Sequence, residues 1–299
     1  MVQKEYKTLS PKIDVVFQAL FGEVGSESIT KGFLEKILKT EIKSIDLDKN
    51  PVLRREFKDE KLGVLDIIAE LNNKEMCNIE MQVVDKKNII ERILYYWSRL
   101  YSKGINKGEE YDKLKKTIVI CIADFEITDL KDEKCHTKWQ IIEEGERKKI
   151  LTNKLELHII QLPKKGNKRE RDEGLLNWLN FLEKPEEVID KMKEDKALKE
   201  AREKLKKISA DEKMQRIAEL RLKAIMDEKA IYAKGIDDGI ERGIEQGIEQ
   251  GMEQGRRQGI EEGQNLEKIE MAKKMLEEKM DIQVIVKITG LTKEEIEKL

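Results

Sequence analysis

The sequence predicts an α/β domain followed by an α-helical region, and three observations carry that reading. Up to about residue 170, helix-like and strand-like runs follow one another in the order helix, strands, helix, strand, strand. Residues 117–125 are almost continuously apolar, as expected of a central strand buried on both faces. After about residue 172 the strand signal stops and charged helical patterning takes over.

Ser10 and Pro11 suit the cap and first turn of an opening helix, and Gly22 suits its end. Residues 13–21 between them are apolar at helical spacing, with Asp14 set among them. A second helix is expected from about 28 to 38, on the spacing of Phe33, Leu34, Ile37 and Leu38. Short strand-like runs follow at 42–47 and 52–57. Two alternating runs, 62–71 and 75–84, then flank Asn72-Asn73-Lys74 and predict a β-hairpin. A helix over 88–102 carries Ile89, Ile93, Trp97 and Leu100 in one stripe. The alternation over 155–162 predicts another strand, closed by Pro163 and a basic run over 164–171.

Composition limits the function classes. Of 299 residues 40% are charged, yet the formal net charge is −2, which excludes a uniformly basic nucleic-acid binder and leaves local patches for any phosphate contact. Met1 opens a charged segment and no apolar run approaches a membrane span, so a cytoplasmic protein without membrane contact is expected. Cys77 and Cys121 lie in apolar runs and read as small buried hydrophobes. Cys135-His136 reads as part of a charged loop with no partner at zinc spacing, so no zinc site with His158 is expected.

The chemistry centres on the hairpin. Side chains alternate along a strand, so Glu80 and Gln82 share one face while Cys77, Ile79, Met81 and Val83 point to the core. With Asn72-Asn73-Lys74 as the loop, Leu71 pairs with Glu75, and counting back sets Asp66 opposite Glu80. Two carboxylates so placed repel each other unless a cation lies between them, and an oxygen donor set suits Mg²⁺ or Mn²⁺. Asp66 also interrupts the apolar run of Val64, Leu65, Ile67 and Ile68, where burial needs compensation. The competing reading is a water-exposed edge Asp with Glu80 on the solvent face.

The stretches Ser-Pro-Lys-Ile-Asp-Val-Val-Phe from Ser10, Leu-Asp-Ile-Ile-Ala-Glu-Leu from Leu65 and Asn-Ile-Glu-Met-Gln-Val from Asn78 resemble the Rpn-type recombination-promoting nucleases, putative transposases of the PD-(D/E)XK superfamily. The resemblance covers roughly residues 5–170, and the glycine-rich tail is also common among these proteins. It implies a restriction-endonuclease-like mixed sheet flanked by helices. It implies DNA as substrate, hydrolysed by an endonuclease in recombination or mobile-element processes, with Mg²⁺ as cofactor and Mn²⁺ as its substitute. Asp66, Glu80 and the main-chain carbonyl of Met81 would hold the metal. Asp14, matching an acidic position on the first helix, would make a further metal or water contact, against the plainer reading of a charge that suits the helix N-terminus. Gln82 stands where the superfamily often has Lys; glutamine can orient a water but not take its proton, so more activation falls to the metal. The alternative is a DNA-binding or assembly protein with weak or lost cleavage.

Arg92, Tyr96 and Arg99, at i, i+4 and i+7, read as a polar face of the helix after the hairpin, suited to phosphate contact and base stacking, against the plainer reading of a solvated face. Eight glycines recur every fourth residue from Gly235 to Gly263, and Ile236, Ile240, Ile244 and Ile248 each follow one. As a helix this stripe drifts about 40° per repeat, and each glycine lowers helix stability by about 0.8–1.0 kcal/mol. Homo-oligomerisation is the expected remedy; a flexible linker is the other reading. Gly290, Thr292 and Glu294-Glu295 mark a stop and a capped restart in a small terminal module that reads as helix-turn-helix-like and, without a basic recognition face, is expected to contact protein. The expected organisation is a nuclease-like domain over 1–172, a helical region over 173–232, the glycine tetrads over 233–265 and the small module over 266–299.

Overall fold

The computed structural model describes residues 6–48, 67–145, 148–166, 172–187 and 195–299. The strand-like run at 52–57, Asp66 and part of the basic run at 164–171 lie outside these residues. The chain divides into two compact units, Met1–Ala230 and Ile231–Leu299.

In the first unit, α1 (Asp14–Phe21) and α2 (Glu27–Leu38) precede β1 (Ile45–Leu47), β2 (Ile67–Leu71) and β3 (Glu75–Gln82). Next come α3 (Ile89–Ser102), β4 (Lys116–Ala123), β5 (His136–Trp139) and β6 (Leu155–Gln161). Then follow α4 (Glu173–Glu183), α5 (Lys196–Ala210) and the start of α6 (Glu212–Glu277). Ser10 does not cap α1: its hydroxyl accepts from the Lys12 amide at 3.3 Å, and the helix begins at Asp14 after an extended Ile13. Gly22 ends it as expected, its amide donating to Gln18 O at 2.7 Å.

Among the described residues the sheet has the order β1-β2-β3-β4-β6-β5. The β1/β2, β2/β3 and β5/β6 pairs are antiparallel, while β3/β4 and β4/β6 are parallel. The hairpin has the predicted loop and register, Leu71 opposite Glu75 and Ile67 opposite Ile79. Asn72 and Asn73 both take φ of +54°, a left-handed turn that asparagine tolerates better than most residues. Asn72 also ties the turn to the chain before β1, its Oδ1 accepting from the Lys43 amide at 2.7 Å.

The central strand β4 is buried from Thr117 to Ala123 because helices cover both faces. Ile118, Ile120 and Ile122 join Cys77, Ile79 and Met81 in the larger core, against α1, α2, α4 and α5. Phe21, Phe33 and Trp178 meet there, with 5.2 Å between the Phe33 and Trp178 ring centroids. On the other face Ile89 and Ile93 of α3 cover Val119, Cys121, Ala123, Leu157 and Ile159. Cys77 and Cys121 are fully buried, as expected of small hydrophobes; burial, then the nearby Glu75 carboxylate, pushes the Cys77 thiol up.

Two expectations fail at the β5 edge. Cys135 is not in an exposed charged loop: it is 1% exposed and its thiol donates to Gln161 O at 3.3 Å. His136 begins a strand that its sequence, His-Thr-Lys-Trp, does not announce by alternation.

In the second unit α6 continues to Glu277, so Gly235 to Gly263 lie within a helix, with nothing near the positions their missing Cβ atoms would take. Two short helices follow, α7 (Ile282–Thr289) and α8 (Lys293–Ile296). Gly290 closes α7 at φ +72°, and Thr292 with Glu295 forms a capping box on α8. Ala272, Ile285, Leu291 and Ile296 form the small core of this module.

Candidate metal-dependent nuclease site

The strand parity read from the sequence places Met76, Asn78, Glu80 and Gln82 on the α3 side of β3. Ile68, opposite Asn78, shares that face and packs with Tyr96 and Leu100 of α3. Glu80 is therefore not on a solvent face: α3 covers this side of the sheet and leaves Glu80 1% exposed. That burial removes the competing reading of Glu80 as a surface residue.

A buried carboxylate persists only where hydrogen bonds or opposite charge replace water. Here the neighbours two residues away on the same strand supply donors to both oxygens. Asn78 Nδ2 donates to Glu80 Oε1 at 2.8 Å, and Gln82 Nε2 donates to Oε2 at 3.2 Å. A carboxylate oxygen can accept more than one bond, so these two donors orient the group without excluding a cation from it. Asn78 is itself fully buried, and its Oδ1 has no hydrogen-bond partner among the described residues. An unsatisfied buried acceptor costs about 1–3 kcal/mol, so this atom marks a place where a further donor is wanted. Asn78 escaped the sequence reading although its position, two residues before Glu80 and on the same face, carried the signal.

Gln82 is half-buried at the end of β3, opposite Ala123 of β4. With its amide nitrogen on Glu80, its carbonyl oxygen is the pole left to accept from a water. The Met81 side chain lies in the opposite core, in register with Ile122, so only its main chain could serve a site on the α3 face.

The remaining candidates are placed differently. Asp14, at the first turn of α1, is engaged by its neighbour's amide, Val15 N at 2.9 Å, and by Arg221, whose Nε lies 3.0 Å from Oδ1. Tyr96 is fully buried and packs on Ile68, so the polar face drawn from the sequence is turned towards the sheet and its ring is not presented to a base. Arg92 is half-buried beside it, its Nε donating to Tyr96 Oη at 3.1 Å and its guanidinium 5.3 Å from the ring centroid. Arg99 is half-buried on the same helix. Asp66, the residue before Ile67, lies outside the described residues. Among the described residues no three His, Cys, Asp or Glu side chains gather as a metal cluster. A hard ion that keeps most of its waters needs only one or two protein carboxylates. The buried Glu80, its two amide neighbours and the unsatisfied Asn78 Oδ1 fit such an ion.

A second polar chain, unforeseen in the sequence, lies across β5 and β6. His136 Nε2 meets His158 Nδ1 at 2.8 Å, and His158 Nε2 meets Glu156 Oε1 at 2.9 Å. Lys116 and Lys138 lie 3.2 and 2.8 Å from Glu156 Oε2. Burial, then the neighbouring His158, lowers the His136 pKa to about 4. Burial alone would raise the Glu156 carboxyl, but the His158 and Lys138 bonds and the Lys116 charge outweigh it and hold it well below the ordinary range.

A mixed sheet flanked by helices, with an oriented acidic residue on the second strand of a hairpin, has the architecture of restriction-endonuclease-like nucleases. The chain belongs to the PD-(D/E)XK nuclease family transposases, whose family model matches residues 11–235. Residues 265–299 match a second model, the C-terminal HTH domain of the Rpn/YhgA-like nuclease family. The module expected from sequence to contact protein is therefore of a helix-turn-helix type. No curated protein and no solved structure matches the chain.

Proposed function

We propose that this protein is a Mg²⁺-dependent DNA endonuclease acting in recombination or transposition-like processes, with Mn²⁺ able to replace Mg²⁺. The observation that carries the reading is Glu80: a carboxylate 1% exposed, held at both oxygens by carboxamides on its own strand. A stabilising structural role does not call for such a group, because a hydrophobe on this face would avoid the desolvation.

In this reading Glu80, Asp66 and the Met81 carbonyl hold the cation. The β2/β3 register supports the choice of Asp66, since Ile67 pairs with Ile79 and, in the sequence, Asp66 directly precedes Ile67 as Glu80 directly follows Ile79. The ion, when bound, lowers the pKa of a water and offsets charge on the scissile phosphate. The chain's own residues do the rest. Asn78 and Gln82 keep the Glu80 carboxylate in one orientation, and the Gln82 carbonyl oxygen accepts from the attacking water and aims it at phosphorus. Glutamine does not remove the proton, so the water must lose it to solvent or substrate. Arg92 is the group on α3 best suited to a DNA phosphate, and Arg99 supports the same face. Asp14 serves indirectly, by fixing the start of α1 through Arg221.

The helix-turn-helix family of residues 265–299 supports DNA as the partner. Self-association through the glycine-tetrad helix completes the reading, because Ile236, Ile240, Ile244 and Ile248 are each about half exposed, between 47% and 57%, on a helix weakened by its glycines.

Nicking of supercoiled plasmid tests the activity. Wild type should nick with Mg²⁺ or Mn²⁺ and not with EDTA, while folded Asp66→Ala and Glu80→Ala variants should not nick. Absence of cutting by folded wild type with either metal would refute the enzyme; cutting that survives both substitutions would refute the site.

A further inference from the structure

Glu80 has two amide neighbours, and they differ in one respect. Gln82, at the strand end, is half-buried, whereas Asn78 is fully buried beneath α3. Asn78 uses its amide nitrogen on Glu80 Oε1, at 2.8 Å, while its amide oxygen is without a partner among the described residues. Turning the amide over would not resolve this, because two oxygens, Oδ1 and Oε1, would then face each other. The donor to Glu80 thus fixes the orientation of Asn78 and leaves an acceptor beside a buried carboxylate. The Asn78 oxygen, set beside a carboxylate, is the acceptor that asks for a hydrogen-bond donor of positive character.

We propose that Asn78 is a positioning residue of the metal site: its nitrogen sets the plane of the Glu80 carboxylate, and its oxygen accepts from a water of the hydrated divalent cation. This rests on the reading of Glu80 as a metal ligand and extends it to a residue that touches the ion only through its partners. A hydrated Mg²⁺ or Mn²⁺ presents water protons made more acidic by the metal, and these are the donors that a buried neutral amide oxygen lacks. Valine, common on β-strands and close to asparagine in size, would pack beneath α3 without leaving an acceptor unsatisfied. Packing alone therefore does not account for a carboxamide here.

The test is Mn²⁺ binding to the full-length protein, by calorimetry and by the Mn²⁺-induced shift in melting temperature, for wild type, Asn78→Leu and Asn78→Asp. Each variant is compared with itself in EDTA, so a change in its own stability does not enter the shift. Asn78→Leu should bind Mn²⁺ about 10-fold or more weakly, the loss typical when a partner of a metal ligand is removed. Asn78→Asp should show a larger Mn²⁺-induced shift than wild type, because a second carboxylate beside Glu80 is relieved by the cation. Equal Mn²⁺ affinity in wild type and folded Asn78→Leu would overturn the role of Asn78 and leave the metal site standing. So would equal shifts in wild type and Asn78→Asp if the leucine variant does not fold. Wild type that takes up no Mn²⁺ would overturn the metal reading itself, and the Asn78 role with it.

Discussion

Acid should destabilise this protein through His136 before its carboxylates titrate. The folded His136 has its pKa lowered from 6.5 to about 4, because protonation would place a cation in a buried position against His158 and near Lys39 and Lys138, with Asp172 opposing. A histidine with a depressed folded pKa contributes stability that is present above its unfolded pKa and is lost as pH falls through the folded one. The window is therefore roughly pH 6.5 down to 4. At 1.36 kcal/mol per pH unit of linkage, one such group loses about 2 kcal/mol between pH 7 and pH 5. Glu156 acts in the same direction further down: its carboxyl is held below 4.5, so its contribution is lost as pH falls beneath that value. Urea melts of wild type and His136→Gln at about pH 7 and pH 5 read the effect, since glutamine keeps a donor towards His158 but does not titrate. The variant should lose about 2 kcal/mol less than wild type over this interval. Parallel losses in the two proteins would refute burial of a neutral His136.

Other consequences follow from particular contacts. Trp178, fully buried against Phe21 and Phe33, should cost about 3–5 kcal/mol when changed to Ala, measured by chemical denaturation. Asn73 holds φ +54°, so Asn73→Val should lower stability by about 1–2 kcal/mol while Asn73→Gly should be neutral or stabilising; equal effects would remove the turn argument. Replacing the exposed Ile240 and Ile244 together by Glu should abolish self-association in sedimentation experiments without changing the melting of the N-terminal unit. An unchanged sedimentation profile would count against an assembly role for α6.

The parts of the fold set by local periodicity were legible in the sequence. The hairpin shows this most clearly: the Asn-Asn turn and period-two alternation fixed the loop, the register and the core side of β3. The two faces of Glu80's environment were less legible. Periodicity places Glu80 and Gln82 together, but only the packing of α3 decides that their face is covered. The same packing reversed the reading of Tyr96, since a tyrosine between two arginines on a helix reads as polar until a sheet is laid against it. β5 was missed because a four-residue edge strand takes its pairing from β6, not from its own pattern. His136, His158 and Glu156 meet only through that pairing, and no spacing rule joins residues on separate strands. The C-terminal module had clear stop and cap signals, in Gly290 and in Thr292 with Glu295, and a helix-turn-helix-like form was readable from them. The missing basic recognition face turned the expectation to protein contact, and the family match supports the helix-turn-helix type.

The central claim is that Glu80 holds a catalytic divalent cation, and the isosteric Glu80→Gln variant tests it most directly. Glutamine keeps the size of the side chain and removes its charge, so the fold under α3 is little disturbed. Initial rates of supercoiled-plasmid nicking would be compared at matched Mg²⁺ for wild type and a variant shown to be folded by its melting curve. The expected result is metal-dependent nicking by wild type and a loss of about 100-fold or more in Glu80→Gln, at least as large as the loss seen when a ligand's partner is removed. Nicking by Glu80→Gln at the wild-type rate would contradict the account.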